Sequence, residues 1–108
     1  MEKKHTVIAD FSITPIGQGE TSVGRYVAAA INAIKNVKGL DYEITPMGTV
    51  LAANNLETIL DAVKAAHQAM IAKGVLRIAT NLRIDERRDK PRTMNDKVES
   101  VKKYMEQH

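Results

Sequence analysis

Apolar residues along this chain switch between a repeat of two and a repeat of about 3.6, in an order that leaves few folds open. Thr6 to Ile16 alternates. Val7, Ala9, Phe11 and Ile13 share one side, and Ile8, Asp10, Ser12 and Thr14 the other, which predicts a strand ended by Pro15 and Gly17. Thr21 or Ser22 then caps a helix whose stripe is Val23, Val27, Ala30, Ile31 and Ile34, with Gly39 as its C′ glycine. Leu40 to Met47 and Thr49 to Ala53 read as a hairpin turning at Met47-Gly48-Thr49. Asn54 or Asn55 opens a second helix, the Asn54–Glu57 spacing approximating a capping box. Its stripe is Leu56, Ile59, Leu60, Val63, Met70 and Ile71, and Gly74 closes it. Val75 to Ile84 alternates again, with Leu76, Ile78, Leu82 and Ile84 opposite Arg77, Ala79, Asn81 and Arg83. Past a charged loop, Thr93 and Asp96 cap a last helix bearing Met94, Val98, Val101 and Met105.

The order strand-helix-strand-strand-helix-strand describes two βαβ-type halves joined by a hairpin. It predicts an α+β, ferredoxin-like βαββαβ sandwich with an extra C-terminal helix, strand order 4-1-3-2, as a single domain over residues 1–108. A chain of 108 residues buries about 65% of its unfolded surface, enough for a core without staples. With no cysteine, a disulfide scaffold, an iron–sulfur cluster and a cysteine nucleophile are excluded. The net charge of +3 is mild, and most bases have acidic neighbours. That argues against a nucleic-acid binder. No run reaches the roughly 18 apolar residues of a membrane span or has signal-peptide form, so a cytoplasmic location is expected.

Two helices cover one sheet face. The other is predicted to carry Asp10, Ser12, Thr14, Thr45, Met47, Arg77, Asn81 and Arg83, with Ile8 among them. Hydroxyls, an amide and a thioether mixed with a few charges suit a subunit interface, a small-molecule site, or both. The alternative is an ordinary solvated face. In the loop Asp85 to Arg92, Arg87, Arg88 and Arg92 form either an anion clamp or a salt-bridge network. His67 borders the second helix's stripe, without a carboxylate or nucleophile at a spacing that forces a catalytic partnership. His5 and His108 are expected to be exposed, and no His–carboxylate set has metal-ligand spacing.

An ordered set of motifs runs from about Thr6 to about Val101. It comprises Ser12-x-x-Pro15-x-Gly17, Thr21-Ser22-Val23, the run Tyr42 to Thr49, Ala66-His67, Ile84-Asp85-x-Arg87-Arg88-Asp89 and Asp96-Lys97-Val98. In this set the chain resembles the small thiamine-binding protein family, which is related to duplicated YkoF-type domains. The resemblance implies a ferredoxin-like fold, subunits that pair through their sheets and assemble as tetramers, and binding of thiamine or its hydroxymethylpyrimidine part. It implies binding without known catalysis, the alternatives being an anion-binding regulatory module or a cofactor-free enzyme, and the residues themselves lead to no expected metal or cofactor. For such a ligand, Ser12 and Asn81 supply hydrogen bonds, Met47 and Thr45 a contact surface, Asp10 or Glu43 a counter-charge for the thiazolium, and Tyr42 a ring to stack on. Arg77 and Arg83 oppose a bare cation and favour an anionic ligand, unless acids pair with them.

Overall fold

A computed structural model describes residues 4–19 and 23–106. The elements are β1 (Val7–Ile16), α1 (Gly24–Ile34), β2 (Asp41–Thr45), β3 (Gly48–Ala53), α2 (Leu56–Ala72), β4 (Arg77–Glu86) and α3 (Met94–Met105). The strands pair antiparallel in the order β2-β3-β1-β4. With α1 and α2 packed on one face, this is the ferredoxin-like α+β sandwich with an added helix that the element order predicts.

Register follows from burial. Val7, Ala9, Phe11 and Ile13 of β1 point to the helices, and their partners Leu51 and Ala53 of β3 and Leu82 of β4 share that side. Tyr26, Ala30, Ile31 and Ile34 of α1 and Ile59, Ala62, Ala66 and Met70 of α2 close the core over them. The buried line of α2 is thus rotated from the predicted stripe. Leu56, Leu60 and Ile71 are exposed, because the small side chains of Ala62 and Ala66 let α2 lie close to its neighbours. Leu76 also leaves the predicted buried face. It precedes β4 and is 99% exposed.

The helix ends show how local chemistry sets the boundaries. Asn55, not Asn54, caps α2, its Oδ1 accepting from Thr58 N at 2.8 Å. Gly74, at φ +85°, ends α2 in a Schellman turn, with Gly74 N donating to Ile71 O and Val75 N to Met70 O. At Thr93 the capping box is complete. α1 stops at Ile34, short of Gly39, and the expected Thr21 or Ser22 cap lies outside the described residues. Pro15 does not end β1. The strand runs to Ile16, and a proline is tolerated there because past Phe11 only β4 flanks it.

Asn54 has a different role. His5, expected at the surface, is 4% exposed. Its Nε2 donates to Asp41 Oδ2 at 2.6 Å, and its Nδ1 lies 3.2 Å from Asn54 Oδ1. A backbone bridge from His5 to Arg92 holds the segment before α3 against the same corner. His5 thereby ties the starts of β1, β2 and α2 together through its ring, and the segment before α3 through its backbone.

Candidate functional site

Alternation places Ile8, Asp10, Ser12, Thr14 and Ile16 of β1 on the face that α1 and α2 leave open, and strand pairing sets them in rows. One row reads Arg83, Asp10, Val50, Glu43 across β4, β1, β3 and β2. In the next, Ser12 is paired with Asn81. Asp10, Ser12, Asn81 and Arg83 line a shallow depression of about 290 Å³. Asp10 Oδ2 lies 4.0 Å from Arg83 Nη2, with both side chains largely exposed. The arginine is therefore partly balanced where it was expected to repel a cation. Arg77 shares the face near the start of β4 and forms no ion pair among the described residues.

Unequal strand lengths create a second feature. β3 pairs with β1 only to Phe11, whereas β4 follows it to Ile16. From Ser12 onward, one edge of β1 has no strand beside it. The gap is a notch of about 320 Å³ between α1 and the hairpin. Val23, Val27 and Ile31 supply an apolar wall, and Ser12, Thr14, Thr45 and Thr49 bring hydroxyl-bearing residues around it. The hairpin tip is Pro46-Met47, since Thr45 pairs with Gly48, and the Thr45 hydroxyl braces it by donating to Gly48 O at 3.0 Å. A proline at the first turn position fixes φ near −65°, so this turn is not one of the primed hairpin types.

Ser12 belongs to both features. Asp10, Asn81, Glu43 and Thr45 share its face. Two expected residues are elsewhere. Tyr42 pairs with Leu51, on the helix side, and packs against the core, because alternation sends it opposite to Glu43. Met47 is 90% exposed at the hairpin tip and lines the notch, not the open face. His67 is bonded to Thr80 Oγ1 at 2.7 Å on the helix side of the sheet.

The charged loop divides between its two readings. Arg87 Nε donates to Asp89 at 3.0 Å, and Arg92 Nη2 donates to Asp85 at 3.1 Å, as does Lys97 from α3. Those bases are locally neutralised. Arg88 is exposed, with no ion pair among the described residues.

The Lys97 hydrogen bond, then its charge and that of Arg92, hold the Asp85 carboxyl below the ordinary aspartate value of 3.8. A depressed acid stabilises the folded form above that ordinary value and loses the contribution as pH falls through its lower folded value. Protection factors of amides in the first turn of α3, which correct for the intrinsic exchange rate, are therefore expected to fall as pH drops below about 4, and Asp85→Asn to reduce that step but leave the part due to Asp96, whose carboxyl is held low by the Thr93 backbone N–H. A pH-independent first turn would show that the pair does not hold α3.

Comparison with known proteins bears on the fold and the family. A UPF0045 protein of Methanothermobacter thermautotrophicus is 47% identical over 96 residues, covering 89% of this chain and 96% of the relative. The crystal structure of hypothetical protein MJ1052 from Methanocaldococcus jannaschii is 41% identical with a TM-score of 0.77, over 88% of this chain and 94% of that one. A Thermotoga maritima structure, whose name ties it to thiamine biosynthesis and salvage, shares the fold at 23% identity and TM-score 0.71, over 88% and 97% of the two chains. The family model described as thiamine-binding protein matches residues 9–102, which span most of β1, all of α1 to β4 and most of α3. By that match and these relatives, the chain belongs to the thiamine-binding protein family.

Proposed function

We propose that this protein binds thiamine, or its hydroxymethylpyrimidine part, across Ser12 and without catalysis, serving to sequester or deliver the vitamin. The observation that carries the reading is the position of Ser12, between an apolar notch and an open face bearing Asn81 and Asp10. The aminopyrimidine needs donors, acceptors and an apolar slot of small volume, which the notch and the Ser12–Asn81 pair provide. The thiazolium needs carboxylates nearby. Asp10 and Glu43 flank Val50 in one row, about 10 Å apart at two strand spacings. The open faces then meet in a homo-oligomer, dimers pairing into a tetramer, and enclose the ligand. His67, turned to the helix side by Thr80, takes no part.

Calorimetric titration with thiamine, hydroxymethylpyrimidine, thiamine phosphates and sulfate tests this. Thiamine or hydroxymethylpyrimidine is expected to bind, and Ser12→Ala and Asn81→Ala each to weaken binding about 5- to 10-fold, the worth of one hydrogen bond. Unchanged affinity in both variants removes the site. Arg77 and Arg88 favour a second reading, an anion-responsive module. Binding confined to sulfate and phosphorylated ligands, lost in Arg77→Ala or Arg88→Ala, establishes it instead.

A further inference from the structure

We propose that the unpaired edge of β1 at Ile13 recognises the ligand through its backbone, one N–H and one C=O pairing with a flat heterocycle that carries a ring-nitrogen acceptor beside an exocyclic amine. This rests on the reading of the notch as the slot for the pyrimidine, and it names the atoms that select that ring.

Strand parity fixes where the backbone groups of β1 point. In an antiparallel sheet, successive residues turn their N–H and C=O toward opposite neighbours. Arg87 N donates to Thr6 O at 2.8 Å, next to the Val7–Glu86 pair. Thr6 therefore bonds toward β4, and so do Ile8, Asp10, Ser12, Thr14 and Ile16, while Val7, Ala9, Phe11, Ile13 and Pro15 turn their groups toward β3. Two further observations agree. The Phe11 carbonyl oxygen lies 2.7 Å from where a Gly48 Cβ would stand, on the β3 side. Pro15, which has no N–H to give, falls on the side where β1 has no partner strand.

β3 pairs with β1 only as far as Phe11 and Thr49. Ile13 is the next residue to turn the same way, and its N–H and C=O have no backbone partner on that side among the described residues. Ile13 lines the notch of about 320 Å³, and its side chain belongs to the core, so its main chain is what it offers for hydrogen bonding there. A donor and an acceptor set beside Val23, Val27 and Ile31 require a partner, either water or a ligand.

The chemistry of this edge selects a small flat ligand over an added strand. Strand addition gains its affinity from a row of main-chain donors and acceptors. Here the row stops after Ile13, because Pro15, the next residue turned to the gap, offers only a carbonyl. A single extended residue sets one donor and one acceptor side by side. A 4-aminopyrimidine matches both on one edge: the ring nitrogen next to the amine accepts from Ile13 N–H, and the amine donates to Ile13 O. The notch lies at the small end of the roughly 300–1,000 Å³ usual for ligand pockets, which suits one ring. Val27, Ile31 and the Met47 thioether, which line it, give that ring apolar and polarizable contacts.

Nuclear magnetic resonance on the protein with hydroxymethylpyrimidine, both labelled at nitrogen, tests this. In the free protein the Ile13 amide is expected to exchange with solvent at least about 10-fold faster than that of Phe11, which β3 covers. In the complex, a scalar coupling is expected between the Ile13 amide nitrogen and the ring nitrogen, which only a direct hydrogen bond transmits. A pyrimidine lacking the amine is expected to bind about 10-fold more weakly or worse, since Ile13 O is then left unpaired. Calorimetric binding without the coupling, or equal affinity for the two pyrimidines, overturns recognition by the backbone and leaves the vitamin site standing. An Ile13 amide as slow as that of Phe11 in the free protein means that the edge is already covered, and overturns it too. Failure of thiamine and both pyrimidines to bind overturns the proposed function along with it.

Discussion

Phe11→Ala is expected to lower the free energy of unfolding by about 3–5 kcal/mol, measured by urea titration followed by circular dichroism. Phe11 is the chain's only phenylalanine and among its largest fully buried side chains. It lies mid-sheet, with Thr49 of β3 on one side and Leu82 of β4 on the other, under both helices. Two features prevent collapse into the space it leaves. The strand beneath is paired on both sides at this position, and the core above is shaped by alanines, Ala30, Ala62 and Ala66, which have no side chain to extend. The lost transfer energy is therefore joined by most of the cavity cost. Against a typical total of 5–15 kcal/mol the loss is severe. A loss under about 1.5 kcal/mol would mean that the core is centred elsewhere. The same residue marks where β3 leaves β1, so the most buried part of the sheet directly adjoins the site around Ser12.

The fold is legible because its signals agree. Alternation, helical stripes, the Thr93 cap and the glycine after α2 each point to the same element order. Parts of the site were also within reach of local rules. Tyr42 and Glu43 are neighbours in a strand, so only one of them can face the ligand side, and the charged one is the natural choice. The notch follows from a 10-residue strand paired with a 6-residue one. His5 is different. Its burial depends on Asp41, Asn54 and Arg92, which are distant in sequence, and no local pattern brings these three together. The rotation of α2 likewise depends on how closely alanines let helices approach, which periodicity alone does not encode. Nor does any local rule tell a helix that lies on its own sheet from one that stands away from it. Both carry the same stripe, and in α3 only the anchoring of the first turn decides.

Gly48→Ala is expected to cost about 1–3 kcal/mol and, in the same variant, to weaken ligand binding. A Cβ at Gly48 stands 2.7 Å from the carbonyl oxygen of Phe11 and 3.5 Å from Ser12 Cβ. The obstacle is backbone in the central strand, paired on its other side with β4, so it has no rotamer by which to yield. The hairpin must move instead. Its tip is tied to Gly48 through the Thr45 hydroxyl and the Thr45–Gly48 pair, so Pro46 and Met47 move with it, and so does the wall of the notch. Stability and affinity are thus coupled at this position, whereas Phe11→Ala acts on the core beneath it. Chemical denaturation and vitamin titration on one preparation separate the two effects. A Gly48→Ala protein with wild-type stability would show that the hairpin has room beside β1. Full stability loss with unaltered affinity would place the ligand away from the notch, on the Asp10–Asn81 side of Ser12.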